Sequence, residues 1–204
     1  MRASRLLAVI FLAAALVGST ALGALKPDTH SGFFIGLGGG AGSLTPKYDE
    51  GGTTIDGDAE TGGFGNFYLG LALSQNVLIG VDGSAWSKKV TDETFDTDAT
   101  WTFANVAACV WFYPANYFYL KAGPAIANAD LKINVGGYSV SGSQNGVGVT
   151  VGAGGELRLT QKFAIIPQAT FMYQKFSEDA TAFYDSFDIK TTTFAISIGV
   201  GWYW

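Results

Sequence analysis

The 204-residue chain carries twelve Lys and Arg against seventeen Asp and Glu, a formal net charge of −5. Phosphate binding needs a basic surface, so nucleic acid is not an expected partner. The single cysteine, Cys109, and the single histidine, His30, exclude an intramolecular disulfide, a cysteine-based zinc site and most nucleophile constellations.

Charged residues make up only 14%, glycines number 28 and aromatics reach 14%, a balance that favours strands and turns over helices. Residues 1–23 read as a secretory signal. Arg2 and Arg5 form its basic start, residues 6–17 its apolar core, and Ser19, Thr20, Ala21 and Gly23 supply small residues for cleavage. The apolar run is too short for a helix crossing about 30 Å, and no cysteine offers a lipid attachment point there. The remainder, 24–204, is expected to form one domain.

From Ser31 the chain falls into eight segments of period two, near 31–44, 62–73, 77–88, 99–113, 117–126, 145–159, 163–176 and 190–204. In the first, Phe33, Ile35, Leu37 and Ala41 oppose Gly36, Gly38, Gly40 and Gly42; in the fourth, Val106, Ala108, Val110 and Phe112 oppose Asn105, Ala107, Cys109 and Trp111. Three connections are short turns, whereas four, near 45–61, 89–98, 127–144 and 177–189, read as long loops. Pro124 and Pro167 fall inside strands, where each predicts a local bulge.

The eighth segment alternates most regularly. Phe194, Ile196, Ile198, Val200, Trp202 and Trp204 lie on one face, and Thr193, Ala195, Ser197, Gly199, Gly201 and Tyr203 on the other. It is longer than the roughly 5–6 residues of a soluble strand and covers the roughly 9–11 needed to cross a bilayer at a tilt. In Ile198, Val200, Trp202 and the final Trp204 the chain resembles the bacterial outer-membrane β-barrel family, whose last strand ends in an aromatic read by the assembly machinery. The resemblance implies an all-β, eight-stranded, antiparallel up-and-down transmembrane barrel of the small OmpA/OmpX type without a periplasmic domain. Short turns would face the periplasm and long loops the exterior, and that assembly machinery and the lipid of the outer membrane would be partners.

The competing fold is a soluble lipocalin-like binding barrel, with its apolar face inward around a ligand. Here the non-apolar face is mostly Gly, Ser, Thr and Asn with isolated charges, which suits a lumen. Aromatics at the ends of the apolar face are placed as interfacial girdles: Phe33, Phe112, Phe118, Phe163, Trp202 and Trp204 at one end, Phe171, Tyr173 and Phe194 at the other. Asp82, Lys121, Glu156 and Arg158 are expected inside as an ion-pair network, with Lys121 facing Glu156. The resemblance leaves a narrow gated pore as an alternative to a purely structural network.

No catalytic residue, metal centre or cofactor is expected. Some eight-stranded outer-membrane barrels modify lipid A with a histidine at the outer leaflet, but His30 falls at the opposite end and reads as solvated. Cys109 points inward with no base to activate it. Most acidic residues lie in or beside the long connections, where Asp56, Asp58 and Glu60 could hold a divalent cation that bridges to lipopolysaccharide phosphates. Tyr48, Phe95, Tyr138, Phe183, Tyr184 and Phe187 lie there too and could form a contact surface. The expected role is structural or surface-interacting, adhesion-like and non-enzymatic, exerted by a monomer through its outer loops.

Overall fold

The computed structural model describes residues 30–50, 53–92, 97–115, 117–135, 138–178 and 187–204. The expected signal segment, the acidic residues Glu93, Asp96, Asp179 and Asp185, and the aromatics Phe95, Phe183 and Tyr184 lie outside them. The described residues form ten strands: β1 (Phe33–Glu50), β2 (Thr53–Asp56), β3 (Glu60–Ser74), β4 (Val77–Asp92), β5 (Thr97–Ala115), β6 (Phe118–Val135), β7 (Tyr138–Gly155), β8 (Leu157–Arg158), β9 (Phe163–Glu178) and β10 (Phe187–Tyr203). Each long strand pairs antiparallel with its neighbours, and β10 pairs back onto β1, so the sheet closes. β2 pairs with β1 alone, and β8 continues the line of β7 after a break at Glu156. The barrel therefore has eight staves.

Closure has a measurable stagger. Paired residues lead around the barrel from Gly38 to Asn66, Ser84, Asn105, Ala127, Gly146, Phe176 and Ile189, and return to β1 at Tyr48. The offset from Gly38 to Tyr48 is a shear of ten residues. With eight strands about 4.8 Å apart, that shear tilts the strands by about 40°.

The staves alternate strictly, and the greasy face is outside. Leu37, Val106, Val147 and Ile198 are 54%, 57%, 66% and 65% exposed, while Tyr68, Trp86, Trp111, Tyr119 and Tyr203 are buried in the lumen. The lipocalin arrangement would reverse these faces. Inward glycines leave room for the large rings: a Cβ on Gly36 would meet the Tyr68 ring, one on Gly154 the Tyr119 ring, and one on Gly62 the Trp86 indole. An eight-stranded barrel is only wide enough for its own side chains, so these rings fill it.

Three expectations need correction. Among the described residues the long connections are mostly strand, because antiparallel ladders run on past the apolar band; β5 alone spans 19 residues, against the roughly 9–11 a bilayer requires. Neither proline makes a bulge. Pairing instead skips Ala108 and Cys109 opposite Gly123 and Pro124, and skips Gly155 and Glu156 opposite Ile166 and Pro167, without a change of register. A missing N–H removes ladder bonds on one side, and the tilted stave absorbs the gap. Register shifts occur beside the short turns, between Ala72 and Ser74 and between Phe112 and Ala115.

His30 is the third correction. Gly32, in the left-handed region at φ 77°, leads the chain into β1, and His30 tucks under the short-turn end, only 5% exposed.

Candidate functional site

The lumen is filled in layers, beginning at the short-turn end with one carboxylate. Glu156, fully buried, accepts from Tyr113 Oη at 2.5 Å and from Tyr203 Oη through Oε1. Its Oε2 meets His30 Nε2 at 3.1 Å and accepts from Arg158 Nε and Nη2, both at 3.3 Å. A carboxylate offers about four lone-pair sites, so Glu156 is saturated. His30 Nδ1 lies 3.0 Å from the backbone carbonyl of Gln75 in the β3–β4 turn. Both ring nitrogens thus face oxygen atoms. The ring also lies 4.0 Å from that of Tyr113, and the Arg158 guanidinium sits 4.4 Å over the Tyr203 ring.

A second layer holds Asp82 and Lys121, both with fully buried side chains, paired at 2.5 Å. Ser84 Oγ donates to the other Asp82 oxygen, while Lys121 Nζ and Tyr119 Oη donate to Gln168 Oε1 at 3.2 and 3.0 Å. Above it, Asn105, Thr150, Gln174 and Thr191 form a neutral hydrogen-bonded chain. The lumen then closes on an apolar cluster of Leu44, Phe64, Trp86, Phe103, Met172 and Phe176.

The four expected lumen charges are all inside, but in two separate pairs. Lys121 does not face Glu156: its partner across the ladder is Gly152, four residues up the stave. Equal distance from a turn gives equal height only in an unsheared sheet, and this one is staggered. His30, Tyr113 and Tyr203 complete the lower cluster. The odd-numbered inward parity of β5 could have signalled Tyr113, but nothing local signalled that His30 folds back beneath the barrel.

The outward residues Ile198, Val200 and Trp202 lie along the barrel surface on β10, and Trp204 follows it, its ring 5.7 Å from that of Phe33. Trp202 packs on Phe163 at 5.1 Å. At the opposite end Asp56 pairs with Lys47 at 2.8 Å, Glu60 pairs with Lys88, and no cation pairs with Asp58 among the described residues. Three metal-ligating side chains converge nowhere among those residues.

The model of the outer membrane protein beta-barrel domain matches residues 11–203. The chain belongs to this family of outer-membrane β-barrel proteins. No curated protein sequence matches it. Among solved structures, Neisserial surface protein A shares 15% identity and a TM-score of 0.50, over 85% of this chain and 98% of that one. The Ail protein of Yersinia pestis, solved in complex with the heparin analogue sucrose octasulfate, shares 16% identity and a TM-score of 0.46, over 82% and 99%. OprG of Pseudomonas aeruginosa shares 9% and 0.45, over 87% and 99%.

This outer-membrane barrel thus sits in the bacterial outer membrane with its apolar band in lipid. By the rule for such barrels its short turns face the periplasm and its extended hairpins the exterior. Along β4–β7 the outer lipid boundary falls between Val106, Ile126 and Val147 and the next row up, where Asn128 Nδ2 donates to Asn145 Oδ1 at 3.2 Å.

Above that boundary the barrel's rim is laced by ion pairs. Asp49 is held below the usual carboxylate range by Lys190 and then Thr54, Asp98 by Lys89 and then Thr91, and Asp188 by Lys175 and then Ser177. A carboxylate whose folded pKa is depressed stabilises the fold above its unfolded value, near 3.8, and loses that contribution as pH falls through the folded pKa. Amide exchange protection along the rim is therefore expected to hold at neutral pH and to drop below about pH 4. The drop should be shallower in high salt, which screens exposed pairs. A rim whose protection, corrected for intrinsic exchange, is flat from pH 6 to pH 2 would contradict this.

Proposed function

We propose that this protein is a non-enzymatic surface-interaction barrel, whose membrane-embedded part is a rigid pedestal and whose extracellular sheet meets other surfaces. One observation carries the reading. Pairing of β7 with β9 stops at Gly146 and Phe176, so residues 138–145 have β6 on one side and, among the described residues, no strand on the other. A strand side that no neighbour occupies is a template for strand addition by a partner chain. Lipopolysaccharide is the proposed neighbour around the rim, reached through the barrel's outward lysines or through divalent cations at outward carboxylates.

The test shortens the hairpin in register, removing 132–134 together with 139–141, which are ladder partners. Cells displaying the trimmed protein are expected to lose most of their attachment to immobilised matrix or neighbouring cells. Cold detergent-gel mobility should still report a closed barrel. Undiminished attachment would sink the reading.

The alternative of a narrow pore is opposed by the filled lumen, sealed below at Glu156 and above at Trp86, Phe103 and Phe176. Planar bilayers are expected to show no discrete steps. Steps whose size changed with Lys121→Met would favour a pore instead.

A further inference from the structure

Below the lipid boundary the sheet is apolar outside and polar inside, but in β4–β7 above the boundary this order inverts. Above Phe112 strand parity is unbroken through these ladders, so residues on one face stay on it. The outer face now carries Lys89, Asp98, Thr100, Asp130, Lys132 and Ser141. The face turned toward the barrel axis carries Trp101, Leu131, Ile133, Val135, Tyr138 and Val140, beside the polar Lys88, Thr97 and Gln144. Several of these inner residues stay open to water: Trp101 is 40% exposed, Val135 46%, Tyr138 82% and Val140 69%. Polar residues outside a sheet require no apolar residues inside it, unless the inside meets something other than water. A contiguous exposed apolar patch of this kind marks a binding surface.

At the foot of this face lies a pocket of about 330 Å³, floored by Leu44, Trp86 and Phe103 and walled by Val90, Trp101 and Pro46. Its size is at the lower end for small-molecule sites. Its floor is firm, because Trp86 Nε1 donates to the Gly42 carbonyl at 2.9 Å and its ring lies 6.2 Å from that of Phe103. Three charged groups reach the pocket: Glu60, Lys88 and Asp58. Glu60 and Lys88 neutralise each other, so Asp58 leaves one uncompensated negative charge beside aromatic walls. Aromatic faces and a carboxylate both attract a cation, and neither attracts an anion.

We propose that the extracellular mouth is a binding site for a small amphiphilic amine, its apolar body against Trp86, Trp101 and Phe103 and its ammonium group at Asp58. The site uses the inner face of the extended sheet and does not depend on strand addition at the outer edge of β7.

The probe is 4-phenylbutylamine, titrated calorimetrically into the full barrel in phospholipid nanodiscs, with empty discs subtracted. The uncharged analogue 4-phenylbutanol and the anionic 4-phenylbutanoate are the comparisons. One saturable site is expected for the amine, with both analogues binding about tenfold more weakly or less. Asp58→Asn and Trp101→Ala should each weaken the amine by about tenfold; both positions are solvent-exposed at the rim, and gel mobility verifies that each variant is closed. The proposal is overturned if no heat remains after subtraction, if either analogue binds as tightly as the amine, or if either variant binds the amine unchanged.

Discussion

Glu156→Gln is expected to lower the stability of the barrel by about 3–5 kcal/mol, the usual cost of removing one partner from a buried charge cluster. The substitution barely alters volume, so the loss comes from charge. Arg158, nearly buried, would keep its positive charge without a counterion, His30 would lose its carboxylate partner, and the two tyrosine hydroxyls would lose an anionic acceptor. Tyr113→Phe and Tyr203→Phe, which each remove one hydrogen bond to a charged group, should cost less, about 1.5–3 kcal/mol. Urea unfolding of the protein in lipid vesicles reads all three. A Glu156→Gln midpoint equal to that of the unaltered protein would mean that Glu156 does not hold the periplasmic end together.

Lys121→Met should also destabilise by about 3–5 kcal/mol, because Asp82 would then be a buried carboxylate with Ser84 as its one remaining side-chain donor among the described residues. Adding Asp82→Leu is expected to recover most of the loss. A buried pair replaced by apolar groups is often neutral or stabilising, whereas a half-removed pair is not. The double-mutant cycle therefore predicts a large coupling energy between two residues whose joint removal costs little. Additive losses, with the double variant worse than either single one, would show that each residue is stabilised mainly by other neighbours. The Glu156 cluster should not couple to this cycle, since the sheared register sets the two layers at different heights.

Much of this architecture was legible in the sequence because a β-strand has a period of two and a barrel has only two faces. The alternation of Phe194 to Trp204 told lipid from lumen residue by residue, and the same parity put Asp82, Lys121, Glu156 and Arg158 inside. Counting turns and long connections yielded eight staves. Inside each stave, the side chain's direction is a local property of the backbone, and local properties survive translation from sequence to structure.

Heights and partners were not legible, because they depend on how staves slide past one another. The stagger between β6 and β7 sets Lys121 opposite Gly152, four residues from Glu156, and Lys121 pairs instead with Asp82, although equal distance from the turns pointed to Glu156. His30 lies before the first strand, where no periodicity applies, and its place under Glu156 follows only from closure, which brings β10, the β3–β4 turn and the end of β7 to one rim. The inversion above the lipid boundary was written in Leu131, Ile133 and Val140 but read as loop, since polar outward residues there break the membrane pattern. The sequence by itself determined the faces, the stave count and the membrane address, all set by short-range alternation. Register, charge pairing and the bowl at the extracellular mouth were decided only by the tertiary structure, because each is a consequence of eight tilted strands closing into a ring.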